Sequence, residues 1–167
     1  MQTTLQPQEL DLLKDKIKDI DYAILTTLEN DGDLHSRPMY THGVDPDGTL
    51  WFFTHASARK VEEIQRNNRV GLSYSDHGSE TYVTLAGTAQ LSKDKAKIDE
   101  LWVEGLKAWF PEGKDGPDVA LLKVQPHQGE YWDRPGGKIV TLFEMAKAAV
   151  TGQPDQSQRN EKLGQQQ

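Results

Sequence analysis

The sequence predicts an antiparallel β-barrel of six or seven strands with helical additions, a mainly β fold of the α+β class. Short β-branched, aliphatic and aromatic runs alternate with turns rich in Gly, Pro, Asn and Asp, which is typical of consecutive hairpins. Other segments repeat apolar residues at three- and four-residue steps, as amphipathic helices do. A chain of 167 residues falls in the size range of one domain with one core.

The first predicted element is a helix over residues 8–20. Leu10, Leu13 and Ile17 recur there at the helical period, and Pro7 suits the first helical turn. Charged residues fill the positions between them. One face of this helix is therefore expected to pack on the barrel while the other meets solvent.

A β-hairpin is predicted next, followed by a third strand. The run Tyr22–Leu28 ends at the turn sequence Asn30–Gly32, and the second arm covers about Leu34–Val44. Pro38 donates no backbone hydrogen bond, so this arm is expected at a sheet edge or a bulge. After a second Gly-containing turn, Leu50–Thr54 is the third strand.

The remaining elements repeat the same two patterns over the rest of the chain. In chain order they are a helix at Ala56–Asn67, strands at Val70–Ser75 and Tyr82–Leu91, a helix at Lys93–Lys107, strands at Val119–Val124 and Glu130–Asp133, and a helix at about Thr141–Val150. The predicted domain covers residues 1–151, with the barrel over about 22–133. Residues 152–167 are polar and Gln-rich with one large aliphatic side chain, which predicts a disordered tail.

Composition excludes several classes of function. A formal net charge of −7 argues against general binding to nucleic acid or anionic membranes, which requires a basic face. The sequence contains no cysteine, which rules out disulfides, thiolate metal sites and cysteine nucleophiles. The five histidines show no ligand spacing, so we expect no metal site. Without a signal peptide pattern or a membrane-length apolar run, a cytoplasmic location is expected.

Two cations beside an aromatic strand predict a ligand site. Between Thr49 and Val61 the only full charges are Arg59 and Lys60, which open the helix after the aromatic strand Leu50–Thr54. Basic side chains next to exposed backbone N–H groups at a helix start suit a phosphate. Aromatic side chains suit a flat ring. The pattern therefore favours a planar, phosphorylated ligand.

These residues belong to a series of segments whose order along the chain is that of a known protein family. The chain resembles the FMN-binding split-barrel family of pyridoxamine 5′-phosphate oxidase-like proteins over about residues 20–133, and within that family the bacterial general stress protein subgroup. The segments that carry the resemblance are His35–Met39, Leu50–Thr54, Arg59–Val61, Asn68–Leu72, Gly87–Ala89 and Glu130–Asp133.

The resemblance implies which residues bind the flavin. Arg37, Arg59 and Lys60 would hold the phosphate, and His42, where the oxidases carry a lysine, would donate to a ring carbonyl. The implied cofactor-binding residues are Arg37, Pro38, Met39, His42, Phe53, Thr54, Arg59, Lys60, Tyr82 and Trp132. Two alternatives remain open. The cations of the helix could pair with Glu62 or Glu63 in solvent, and the aromatic side chains could serve only core packing.

The resemblance also implies a cofactor and a partner. The cofactor would be FMN, with FAD as the alternative, held between the subunits of a homodimer in which Trp132 covers the flavin from the other subunit. No dinucleotide-binding motif occurs in the sequence, so the reductant would be diffusible NADH or NADPH.

Three functions remain open on the sequence. The leading hypothesis is an FMN-binding stress-related protein acting as an oxidoreductase of unassigned substrate. The alternatives are a flavin carrier or sensor without turnover, and a ligand-free interaction dimer. The substrate-gripping arginine and histidine of the vitamin B6 oxidases are missing after Asp133, which disfavours pyridoxamine 5′-phosphate oxidase activity.

Overall fold

The computed structural model of the protein describes residues 5–134 and 159–164. Its strands are β1 (Tyr22–Leu28), β2 (Leu34–Tyr40), β3 (Gly43–Val44), β4 (Leu50–His55), β5 (Arg69–Asp76), β6 (Thr81–Ser92), β7 (Val119–Asp133) and β8 (Arg159–Leu163). They form one antiparallel sheet of eight strands in the order β2-β1-β5-β6-β7-β4-β3, with β8 paired to β7. The predicted antiparallel fold is confirmed, and β2, which contains Pro38, lies at the predicted sheet edge.

In the described part of the chain, three α-helices and one 3-10 helix are added to the sheet. They are α1 (Pro7–Ile17), α2 (Arg59–Arg66), α3 (Lys95–Leu101) and the 3-10 helix Glu104–Ala108. In α1 the predicted apolar positions Leu13 and Ile17 are buried, and the Glu9 carboxylate accepts from the backbone N–H of Gln6 at 2.7 Å. Among the described residues, no helix has the length and apolar character needed to cross a membrane.

Strand β4 is buried on both faces because it separates two apolar clusters. Leu50 and Phe52 join the main core, which fills the space between the curled sheet and the helices α1 and α2. Trp51 and Phe53 point the other way, into a second cluster with Phe110 and other side chains near α3 and the 3-10 helix. The continuous apolar run in this part of the sequence follows from that double burial.

Strand β7 is one continuous strand, whereas the sequence predicted two. A register shift at Ala86/Gly87 in β6 accommodates the irregular stretch around Pro126, so that pairing with β6 continues on both sides. A Cβ at Gly87 would lie 2.5 Å from the Gln125 carbonyl oxygen, so this close approach requires glycine.

The long helix predicted over Lys93–Lys107 is divided in two. Trp102 and Val103 have extended backbone, with ψ of 132° and 145°, between α3 and the 3-10 helix. Burial explains the break, since the turned segment places Leu106 and Phe110 in the second apolar cluster. The second predicted strand is likewise divided, into β2 and β3.

The prediction of a disordered tail is wrong for residues 159–163. They form β8, which pairs with Gly129–Asp133 of β7. Pairing between β7 and β4 ends at Val124, so the later part of β7 has backbone groups available on that side. Leu163, the one large aliphatic residue of the tail, anchors β8 with only 4% exposure. The helix predicted at Thr141–Val150 lies outside the described residues.

Candidate functional site

A cavity of about 450 Å³ lies between the barrel and the segment that follows α3. Strands β1 and β2 and the residues just after them contribute Tyr22, Pro38, Met39, Tyr40 and His42. Strand β4 contributes Phe53, Thr54 and His55, and the first turn of α2 contributes Lys60. The segment after α3 contributes Val103, Gly105, Leu106, Trp109 and Phe110. A mostly apolar cavity with a few polar groups is typical of a small-molecule site.

The cavity contains an uninterrupted row of aromatic rings. Ring centroids of Tyr22 and Tyr40 are 5.3 Å apart, those of Tyr40 and His42 are 4.8 Å apart, and those of His42 and Phe53 are 4.8 Å apart. Phe110 continues the row at 6.1 Å from Phe53. Rings locked against one another in this way provide a preformed apolar surface for a flat ligand.

His42 is held in the neutral state within this row. Burial lowers the pKa of its imidazole, and a contact of 3.0 Å between Nδ1 and the Tyr40 carbonyl oxygen opposes that shift only in part. A neutral ring that donates from Nδ1 to a carbonyl leaves Nε2 as an acceptor. His42 therefore offers the cavity an acceptor rather than a positive charge.

Within residues 5–134 and 159–164, Lys60 is a cation without an ion-pair partner. Its partly buried side chain lines the cavity and makes no hydrogen bond or ion pair with any residue in the described part of the chain. Burial lowers the pKa of the Lys60 ammonium, the nearby charge of Arg37 lowers it further, and Glu63 opposes the shift. A desolvated, uncompensated cation is costly alone and becomes favourable when an anion binds beside it.

Arg37 lies near this cation but does not line the cavity. It donates to the Glu63 carboxylate at 2.8 Å and to the Thr27 hydroxyl at 2.5 Å. Its position in β2, opposite the fully buried Leu25 of β1, places the guanidinium under α2. The predicted phosphate contact of Arg37 therefore stays a prediction, while an ion pair to Glu63 is its role in this structure.

Arg59 also pairs with carboxylates. Its side chain is 66% exposed and lies 2.5 Å from Glu29 Oε2 and 3.2 Å from Glu63 Oε1. The second contact spans one helical turn of α2, which agrees with the alternative that this cation pairs with a glutamate of its own helix. Its binding of a ligand also stays a prediction.

Glu63 is the centre of a buried polar cluster. Burial alone would raise the pKa of its carboxyl, but hydrogen bonds, including those from Thr27 and Arg37, outweigh burial and lower that pKa. Glu29, His35 and Glu63 place possible metal-ligand atoms within 4.8 Å of one another. Two arginines already donate to these carboxylates, and Arg37 Nη2 lies 2.6 Å from His35 Nδ1. The donor set is thus that of an ion-pair network rather than an open metal site.

The structure brings some predicted site residues together and leaves others apart. Those lining the cavity are Pro38, Met39, His42, Phe53, Thr54 and Lys60. Arg37 and Arg59 belong to the Glu63 cluster, and Tyr82 and Trp132 are cross-strand partners in β6 and β7, away from the cavity. Within one chain, Tyr82 and Trp132 do not contribute to this site.

Sequence reasoning missed part of the cavity. Tyr22 could have been found, since the hairpin register places it opposite Tyr40. Trp109 and Phe110 reach the cavity through the break between α3 and the 3-10 helix, and Gly105, two residues after Val103, is the sequence signal that could have indicated that break. His55 ends β4 on the same face as Phe53, and strand alternation could have indicated it.

Comparison with known proteins finds relatives over most of this chain. Residues 8–155 match the family described as pyridoxamine 5′-phosphate oxidase like. General stress protein 26 of Bacillus subtilis is 32% identical over 123 residues, which cover 68% of this chain and 84% of that protein.

Solved structures extend the likeness to the whole fold. A protein from Jannaschia sp. CCS1 assigned as general stress protein 26 superposes with a TM-score of 0.77 at 28% identity, covering 94% of this chain and 98% of that one. A general stress FMN/FAD-binding protein from Xanthomonas citri superposes with a TM-score of 0.62 at 27% identity, covering 77% and 88%. These matches confirm the split-barrel fold, and the chain belongs to the pyridoxamine 5′-phosphate oxidase-like family, with general stress proteins among its relatives.

Proposed function

We propose that this protein is an FMN-binding general stress flavoprotein that acts as an oxidoreductase. The observation that carries the proposal is Lys60, a partly buried cation without a counter-ion among the described residues, on the wall of an aromatic cavity. Such a cation favours the binding of an anionic ligand, and the row of aromatic rings favours a planar one. FMN combines both properties in one molecule.

The residues of the cavity fit the parts of FMN. Lys60 would pair with the phosphate, and the rings of Tyr40, His42 and Phe53 would pack against the isoalloxazine. The Thr54 hydroxyl already donates to the His55 carbonyl at a long 3.3 Å, so it could exchange that contact for a flavin atom. Bound flavin would supply the redox chemistry, while the protein supplies binding, orientation and electrostatics. FAD remains the alternative cofactor.

The proposed assembly is a homodimer with flavin at the interface. Three apolar side chains near the cavity are substantially exposed on the outer side of β1 and β2, with Tyr22 at 58%, Ile24 at 43% and Tyr40 at 40%. A second copy packed on this face would cover them and could supply Tyr82 and Trp132 to the neighbouring cavity. Sedimentation at micromolar concentration tests this assembly, and a species of 18.8 kDa alone would exclude it.

The experiment that tests the site compares two flavins on one variant. Lys60→Ala should weaken FMN binding by about 2–5 kcal/mol, because the phosphate loses its partner in a partly desolvated cavity. Riboflavin lacks the phosphate, so its affinity should change far less. Lys93→Ala is the matched control, since this exposed lysine donates to the Pro117 carbonyl at 3.1 Å and does not line the cavity.

Comparing FMN with riboflavin distinguishes the loss of a phosphate contact from unfolding of the variant. Unfolding of the variant would weaken FMN and riboflavin together, whereas loss of a phosphate contact acts on FMN. Equal losses in a folded Lys60→Ala protein would contradict the site. Anaerobic mixing of the FMN-loaded protein with NADH or NADPH then distinguishes an oxidoreductase, whose flavin is bleached, from a carrier or sensor, whose flavin stays oxidised.

A further inference from the structure

His55 is fixed at the edge of the cavity by two neighbours. Its Nδ1 lies 3.2 Å from Asp118 Oδ2, and its ring centroid lies 4.5 Å from that of Phe110. Asp118 is itself fixed, because it accepts from the Ser57 backbone N–H at 2.9 Å and from the Ser57 hydroxyl at 2.7 Å. The imidazole thus has a defined orientation before any ligand binds.

The other ring nitrogen of His55 is available. Nε2 makes no hydrogen bond with any described residue, and the side chain is 46% exposed while lining the cavity. A carboxylate oxygen can only accept, so Nδ1 carries the proton of this contact and Nε2 is the nitrogen left for a ligand. Ser57, through its hydroxyl and then its backbone N–H, holds the pKa of the Asp118 carboxyl below its usual range, so this partner is ionised.

The two histidines of the cavity are oriented by different partners. His42 contacts the Tyr40 carbonyl oxygen through Nδ1. His55 contacts the Asp118 carboxylate through Nδ1. In both rings Nε2 is the nitrogen that remains for a ligand.

We propose that His55 is a ligand-binding residue that forms a hydrogen bond with FMN through Nε2, and that Asp118 is the positioning residue that orients it. The inference rests on the proposed function, because FMN is the ligand it names.

Chemical protection of the histidines provides the first test. Diethyl pyrocarbonate modifies free imidazole nitrogens, and peptide mass spectrometry reads each histidine separately. With FMN at about ten times its Kd, the rate at His55 should fall roughly tenfold, because about a tenth of the protein remains unoccupied. His77, exposed in the β5–β6 loop, should react at an unchanged rate.

The modification rate of His42 distinguishes failure of this inference from failure of the proposed function. Protection of His42 without protection of His55 would leave FMN in the cavity and overturn the role of His55. If neither histidine is protected at saturating FMN, the ligand binds elsewhere or not at all, and the proposed function fails together with this inference.

Variants test the two roles separately. His55→Gln should weaken FMN binding about two- to tenfold, as expected for one hydrogen bond, while His77→Gln should not. In ¹⁵N–¹H spectra of the imidazoles, Asp118→Asn should remove the Nδ1–H signal of His55 and Asp118→Glu should restore it. Ser57→Ala, which removes a contact of Asp118 but not the carboxylate, should retain the signal. An unchanged spectrum in Asp118→Asn, or unchanged FMN affinity in a folded His55→Gln protein, would overturn the proposal.

Discussion

Arg37 of the edge strand β2 donates to Glu63 of helix α2 at 2.8 Å, and this ion pair joins two elements that are distant in the sequence. Both side chains are largely removed from solvent, at 16% and 4% exposure. Edge strands are prone to fraying, and a buried charge on the neighbouring helix gives this edge a fixed partner. The pair also sets the electrostatic surroundings of Lys60, whose pKa burial lowers first and Arg37 lowers further.

Arg37→Ala should lower the free energy of unfolding by about 3–5 kcal/mol, because the Glu63 charge remains buried without the less exposed of its two arginine partners. Arg59→Ala is the matched control. Arg59 contacts the same carboxylate but is 66% exposed, so its loss should cost no more than about 1 kcal/mol. Urea unfolding of the ligand-free proteins measures both values. Equal costs for the two variants would show that the buried pair is not the stronger contact.

Mild acid should destabilise the protein through His42. Burial lowers the pKa of His42 in the folded state below its usual 6.5, so the unfolded chain binds more protons as the pH falls through and below that value. This contribution to stability is present above pH 6.5 and is lost on acidification. Thermal unfolding at pH 7 and pH 5 should therefore show a smaller pH dependence for His42→Asn than for the wild type. His77→Asn, at an exposed position, should retain the wild-type dependence.

Leu163→Ala should destabilise the protein by about 2–5 kcal/mol, the usual cost of truncating a buried leucine. Leu163 is 4% exposed and packs in the main core, although it lies in the short polar strand β8. Asn160→Ala in the same strand is the control, since Asn160 is exposed and its loss should stay within about 0.5 kcal/mol. Chemical denaturation compares the two. A Leu163→Ala protein as stable as Asn160→Ala would mean that β8 contributes nothing to the core.

Gly87→Ala should cost roughly 1–3 kcal/mol, as expected for overpacking. The new methyl group would lie 2.5 Å from the Gln125 carbonyl oxygen and 3.1 Å from Pro126 Cα, and backbone atoms cannot rotate away. Gly71→Ala in the neighbouring strand β5 is the comparison, because its nearest contacts would be 3.8 Å and 3.9 Å. Its stability should stay within about 1 kcal/mol of the wild type. Melting temperatures that fall equally in both variants would contradict the close approach at the register shift.

Local patterns were sufficient to predict most of the barrel and part of the site. Turn residues and strand alternation predicted β1, β2 and β4, and the paired cations at the start of α2 pointed to Lys60. These features depend on neighbours within a few residues, which a sequence displays directly.

Long-range pairing explains what the sequence did not reveal. The partner of Arg37 is Glu63, 26 residues away, and their contact depends on how α2 lies over the sheet. Strand β8 has no apolar periodicity, and its place is set by backbone groups left available on β7 and by one leucine. Neither relationship leaves a periodic signal in the residues themselves.

The two sides of the cavity differ in how well they tolerate substitution. Phe53, on the barrel side, is 7% exposed and also holds the second apolar cluster together, so most changes there would threaten folding. On the other side, Val103 and Trp109 are 57% and 65% exposed, and the core does not depend on them. Substitutions at these two positions can therefore alter which molecules are recognised at little cost in stability. Ligand preference can thus be changed at Val103 and Trp109 without altering the barrel or Lys60.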